Sequence, residues 1–370
     1  MRTTLVVTND FPPRQGGIQS YVYELARRLP GPVVVYASTD DGAADFDAAQ
    51  PFPVVRHPTG LLLPTPTAAR NTTALLREHG ATAVWFGASA PLGLLTPALR
   101  RAGAERIVAS SHGHETGWAR LPAGRQALRR IGTECDVITY ITEYTRVRIA
   151  PAFGPHATLA QLTPGVDVET FHPGVDGEVI RQRHGLADRP VIVCVSRLVP
   201  RKGQDALIRA LPAIRRAVPD AVLLLVGHGP YEARLRALAA EQGDAVVFTG
   251  GVPYAELPQY YAAGDVFAMP CRTRRGGLDV EGLGMVFLEA SATGIPVVAG
   301  DSGGAPDAVL EGETGYVVDG RDEVQLAQRI VTLLQDPQLR GRMGTAGRAW
   351  VEQQWSWAML AQTLNGLLQE

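Results

Sequence analysis

Thr3–Leu29 reads TTLVVTNDFPPRQGGIQSYVYELARRL, and its halves obey different periodicities. TTLVVT is a short apolar run suited to a buried strand. Ile18, Val22, Leu25 and Leu29 then recur at helical spacing. The loop NDFPPRQGG joins them, and its Gly16 and Gly17 open the helix. A strand, a glycine loop and a helix in that order start a βαβ unit. Two adjacent glycines let backbone N–H groups approach an anion at the helix N-terminus. The loop lacks the GxGxxG spacing of a dinucleotide fingerprint.

The same rhythm continues outward. PVVVYAS, AVWFG and RIVASSHG are strand candidates with helical stretches between them, which predicts a parallel sheet covered on both faces. Periodicity lapses at LTPGVDVETFHPG (Leu162–Gly174), where Pro, Gly and Asp cluster as in a linker. It resumes with the strands PVIVCVSRL, AVLLLVG, AVVFTG, VFAMP and IPVVAG, and with helical patterns around 203–217, 231–242, 255–263 and 284–293. The expected architecture is α/β with two doubly wound domains facing a cleft. Their expected extents are residues 1–168 and 169–354, with a C-terminal helix at about 355–370 crossing back to the first.

Length and composition fit this plan. The chain has 370 residues, 45% hydrophobic and 19% charged, enough for two cores. A formal net charge of −2 argues against a general nucleic-acid binder. Cys135, Cys194 and Cys271 show neither zinc nor disulfide spacing, which suits a reducing cytoplasm. The apolar run near the N-terminus is too short for a signal-peptide core. No stretch approaches the roughly 20 apolar residues of a membrane span.

In doubly wound sheets, ligands bind beyond the carboxyl ends of strands. Besides the Gly16–Gly17 loop, three segments qualify. ASSHGHETGW places His112 and His114 after a strand, and His112, nearer the strand end, is the substrate-contacting candidate. No matching ligand cluster accompanies this HxH pair, so a metal is not expected. SRLVPRKGQD places Arg197 and Lys202 after another strand; a guanidinium fork and an ammonium together suit a diphosphate. RTRRGGLDVEGLGMVFLEASATGIPVVAG carries Glu281 and Glu289 with seven residues between them. On one helix they would lie roughly 80° apart. A helix beginning near Gly284 instead leaves Glu281 in the preceding loop and Glu289 in the helix body. Asp45 and Asp47 match an Asp-x-Asp spacing but lie in a polar loop not placed after a strand. GWARLPAGRQALRRIG mixes Trp118, Leu121, Leu128 and Ile131 with Arg120, Arg125, Arg129 and Arg130, a combination suited to an anionic membrane surface or to an ordinary amphipathic helix.

With PPRQGGIQSY, SHGHE, SRLVPRKG, LLLVGHGP, VEGLGMVFLEASATGIPVVAG and GGAPDAVLEGETGYVV, the chain resembles glycosyltransferase family 4, retaining enzymes of GT-B fold. VTNDFPPRQGGIQSY and SSHGHETGWARLP look like the actinobacterial GDP-mannose-dependent phosphatidylinositol mannoside mannosyltransferases within that family.

The resemblance implies roles. Arg197 and Lys202 hold the donor diphosphate, Glu281 meets the donor sugar's hydroxyls, and Glu289 binds the ribose. Gly284, Met285 and Val286 offer backbone N–H groups. Gly16 and Gly17 lie against the diphosphate and the acceptor, and His112 contacts the transferred sugar. The base sits near Val252 and Met269. The implied donor is GDP-mannose, with no cofactor and no metal required. The implied acceptor is a lipid-linked inositol mannoside (PIM1 to PIM2 type), reached from the cytoplasm at the inner membrane face. Reaction occurs on one face of the sugar, so no protein nucleophile is needed. Rival readings are a family 4 enzyme of polysaccharide or natural-product assembly and a non-catalytic nucleotide-sugar binder. A two-carboxylate glycosidase is disfavoured, because Glu289 belongs to the helix register.

Overall fold

In the computed structural model the chain forms two compact units, Met1–Gly165 with Trp357–Glu370, and Val166–Ser356. Every residue except His114 is described, and of Thr116 only the backbone.

The first unit is built on a seven-stranded parallel sheet. Its strands are β1 (Thr4–Thr8), β2 (Val33–Ala37), β3 (Val54–Arg56), β4 (Ala83–Phe86), β5 (Arg106–Ser110), β6 (Val137–Tyr140) and β7 (Leu159–Gln161). They lie in the order β3-β2-β1-β4-β5-β6-β7. Alternate residues of β1 serve opposite faces, as the period-2 pleat requires. Leu5 and Val7 join one core, and Val6 joins the other with Tyr21, Val22 and Leu25 of the helix Gly17–Ala26. Leu360, Ala361, Leu364 and Leu368 of the C-terminal helix Trp357–Gln369 complete that second core.

The second unit holds six parallel strands in the order β10-β9-β8-β11-β12-β13. These are β8 (Val191–Val195), β9 (Val222–Val226), β10 (Val246–Gly250), β11 (Val266–Met269), β12 (Val297–Gly300) and β13 (Gly315–Val318). Winding reverses between β1 and β4 in the first sheet and between β8 and β11 in the second. Loops leaving those strands diverge to opposite faces and leave a crevice at each switch point.

Four strands, β3, β6, β7 and β13, lie outside the apolar runs expected to be strands. Three of these are sheet edges and are only partly buried, so they lack the apolar run that marks a central strand. The basic aromatic stretch is also two elements, the turn Glu115–Trp118 and the helix Pro122–Glu134. Leu128 and Ile131 are fully buried in the core, so that helix turns its apolar side inward. Trp118 and Leu121 remain exposed, as do Arg120, Arg125, Arg129 and Arg130. Cys135, Cys194 and Cys271 are buried and unpaired, and burial pushes each thiol up to about 12. Among the described residues no helix is long and apolar enough to cross a membrane.

Candidate active site

The switch point of the second sheet gathers most of the expected residues. Arg197 follows β8, is exposed, and forms no side-chain hydrogen bond or ion pair with a described residue. Its backbone is fixed from below: Gln204 Nε2 donates to Arg197 O at 3.1 Å and to Ser196 Oγ at 2.8 Å. The turn Pro200–Lys202 then leads into the helix Gln204–Ala217. Gly203 joins them at φ +80°, and a Cβ there would lie 2.0 Å from Pro270 O. Only glycine lets this turn sit against the exit of β11.

Lys202 is nearly closed to solvent, at 8% exposure. A buried ammonium needs a partner, and it has one: Lys202 Nζ lies 2.7 Å from Glu281 Oε2. Arg201 Nε is 3.7 Å from the same oxygen. Arg201 Nε is itself buried without a hydrogen-bond partner, and Lys202 is the nearer of the two cations on this carboxylate.

Glu281 stands in the loop before the helix Met285–Thr293. Its N–H donates to Ser302 Oγ at 3.2 Å, and its carbonyl accepts from Gly304 N at 3.0 Å. Gly303, at φ +60°, passes so close that a Cβ would fall 2.0 Å from Glu281 O. The helix begins after Gly284, at φ +83°, with no side-chain cap. The first amides, at Met285 and Val286, are thus left as donors at the positive end of the helix dipole. That suits phosphate or sugar oxygens.

Glu289 lies within the helix, where Tyr261 OH donates to its Oε2 at 2.5 Å. Burial raises the Glu289 carboxyl above the usual range, while the Tyr261 bond and the Lys202 charge pull against it. Some surface is retained, and Oε1 has no hydrogen-bond partner among the described residues. Beside Arg197 a cavity of about 340 Å³ is lined by Val195, Ser196, Gly227, His228, Val252 and Leu257. Val252, expected near the base, lines this cavity. Met269 is fully buried and does not.

The first unit holds the remaining candidates. Gly16 and Gly17 are exposed at the uncapped start of the helix Gly17–Ala26. His112 follows β5; its Nε2 is 2.7 Å from Gly87 O, so that nitrogen carries the proton. Its ring meets Tyr21 edge to face at 5.0 Å. His114 lies outside the described residues. Asp47 is taken up by Arg56 in a bidentate pair at 2.9 and 2.7 Å, and Arg56 also holds Pro12 O and Ser38 O. Among the described residues no three His, Cys, Asp or Glu side chains form a metal-ligand group.

Residues 15–170 match the family model described as Glycosyltransferase Family 4, and residues 176–350 match Glycosyl transferases group 1. Over 98% of its length the chain is 56% identical to a Mycolicibacterium smegmatis protein, 98% of which it covers. The chain belongs to glycosyltransferase family 4. That relative is named GDP-mannose-dependent alpha-(1-6)-phosphatidylinositol monomannoside mannosyltransferase. A Mycobacterium tuberculosis relative of the same name is 53% identical, over 100% of this chain and 98% of its own. A Corynebacterium glutamicum relative, whose name specifies the monoacylated lipid, is 51% identical over 100% and 98%. Among solved structures, Anabaena HepE in complex with UDP aligns at TM-score 0.77 and 20% identity, over 100% of this chain and 99% of that one. WaaG, a glycosyltransferase of lipopolysaccharide biosynthesis, aligns at 0.61 and 18%, over 99% of each. With two parallel-sheet Rossmann-like units, this family 4 chain has the expected GT-B fold.

Several supporting residues carry no mark in the sequence. Gln204 and Asp205 directly follow Arg201-Lys202-Gly203, but nothing in the sequence ties them to Arg197 or to Arg272. Ser302 and Tyr261 likewise meet their glutamates only through the fold. One signal was legible: of the chain's 35 lysine and arginine residues, Lys202 is the only lysine.

Proposed function

We propose that this chain transfers mannose from GDP-mannose, with retention, to a phosphatidylinositol mannoside acceptor, forming an alpha-mannosyl linkage. The observation that carries this reading is the 51–56% identity, over nearly full length, to proteins named for that activity. Arg197 and Lys202 receive the diphosphate and stabilise the charge that builds on it as the sugar–phosphate bond breaks. The amides of Met285 and Val286 add donors at a helix terminus. Glu281 orients the mannose hydroxyls, and Glu289 takes the ribose through Oε1. The cavity beside Val252 receives the base. Gly16, Gly17 and His112 address the diphosphate and the transferred sugar. The leaving phosphate accepts the acceptor's proton on the face of departure, so neither glutamate acts as a nucleophile.

Such an acceptor lies in a membrane, which the enzyme meets peripherally from the cytoplasmic side. Exposed Trp118 and Leu121, beside Arg120, Arg125, Arg129 and Arg130, supply the apolar and cationic groups such a surface demands. Neither a cofactor nor a divalent metal is required; activity in EDTA should match that without it, and strict metal dependence would count against the mechanism. The direct test supplies purified protein with GDP-mannose and phosphatidylinositol monomannoside in vesicles. A dimannoside product with a new alpha linkage is expected. Turnover with UDP-sugars alone, or with soluble acceptors alone, would overturn the substrate assignment.

A further inference from the structure

The Lys202–Glu281 contact brings together two loops far apart in sequence, so something must hold those loops in register. The carboxylate of Asp205, with its side chain 7% exposed, sits in the first turn of the helix that follows Lys202. Arg272 Nη2 reaches both of its oxygens, at 2.8 and 2.7 Å. Arg272 is the third residue beyond β11, in the segment that leads to Glu281. Its own N–H donates to Arg201 O at 2.8 Å. Side chain and backbone of one residue thus fasten the Glu281 loop to the residue before Lys202 and to the helix after it. Arg209 adds a weaker contact, with Nη2 3.1 Å from Asp205 Oδ2.

We infer that Asp205 and Arg272 are positioning residues that clamp the turn of Lys202 to the loop of Glu281. Resting on the reading of Lys202 as a donor-phosphate ligand, this inference assigns the clamp a role in presenting the chain's single lysine. Without Asp205, Arg272 becomes a nearly buried guanidinium lacking its bidentate partner. It then competes with Lys202 for the carboxylates of the same loop, Asp279 and Glu281. Without Arg272, the Asp205 carboxylate keeps only Arg209, and the loop loses its side-chain anchor.

The sole lysine makes the test specific. Protein labelled with 15N at the lysine Nζ gives one side-chain ammonium signal, read without donor. In the parent protein the signal should be sharp and its hydrogens should exchange slowly, because Lys202 is buried against Glu281. In Asp205→Asn and in Arg272→Gln the ammonium should exchange at least tenfold faster. Their kcat for mannosyl transfer should fall roughly 10- to 100-fold, with a smaller change in KM for GDP-mannose. Arg209→Gln should leave the signal unchanged, because both Arg272 bonds survive. A parent-like ammonium signal in folded Asp205→Asn and Arg272→Gln overturns the inference. Failure of both to fold, by melting and circular dichroism, assigns the pair to stability and overturns it too. The ammonium readout needs no donor, so it stands even where GDP-mannose proves not to be the substrate.

Discussion

Lys202 Nζ lies 2.7 Å from Glu281 Oε2, with both side chains about nine-tenths closed to solvent. Arg197, the other cation expected at the diphosphate, is exposed and unpaired among the described residues. The two cations are thus embedded differently, although sequence gives them the same task.

That contrast separates their variants. Lys202→Ala leaves Glu281 buried and short of its nearest cation, so it should lower stability by about 3–5 kcal/mol, the scale for breaking a buried pair. It should also lower kcat/KM by roughly 10²–10³. Arg197→Ala should produce a similar rate loss with an unchanged melting temperature. Melting curves beside steady-state kinetics check this; near-parent turnover in either variant removes its assigned role.

The Tyr261–Glu289 bond predicts a pH dependence. Burial holds the Glu289 carboxyl above its ordinary value of 4.5, and the Tyr261 hydroxyl opposes that rise. The native state therefore keeps the proton to higher pH than the unfolded chain does. This group's contribution to stability falls as pH rises from about 4.5 through the raised native value. Donor affinity should move oppositely, weakening as pH falls through that value and the ribose loses its carboxylate acceptor. Tyr261→Phe should shift the midpoint upward. Calorimetric titration with GDP between mildly acidic and neutral pH reads it; a downward shift refutes the role of the Tyr261 bond, and an affinity independent of pH refutes the placement of Glu289 at the ribose.

Gly303 predicts a backbone effect. A methyl group there meets Glu281 O at 2.0 Å, in a left-handed conformation disfavoured for side chains. Gly303→Ala should lower stability by about 1–3 kcal/mol and displace Glu281, with kcat falling further than KM rises. Gly17→Ala meets no atom within 4 Å and serves as a fold control read by melting temperature.

The surface carrying Trp118 and Leu121 predicts a separation of binding from folding. Trp118→Ala with Leu121→Ala should weaken sedimentation with anionic vesicles, most clearly at low salt, where charge also contributes. The melting temperature should hold. Leu128→Ala should instead unfold the unit more readily, by about 2–5 kcal/mol, because that side chain is in the core. Equal vesicle binding by parent and double variant would remove this face from the membrane interaction.

The sequence alone determined the doubly wound class, because buried parallel strands demand unbroken apolar runs and their crossover helices demand one apolar face. It also placed the start of the helix Met285–Thr293, since Gly284 is a local backbone choice. It put Glu281 ahead of that helix and Glu289 within it. Edge strands such as β3 and β13 were not legible, because a half-solvated strand carries little apolar signal. The inward turn of Leu128 and Ile131 was likewise open, since an amphipathic face suits a core as well as a membrane. Only the tertiary structure paired Lys202 with Glu281, Tyr261 with Glu289, and Asp205 with Arg272. Those contacts join residues 28 to 79 positions apart, and no local periodicity encodes which side chains meet when separate strands end at one switch point.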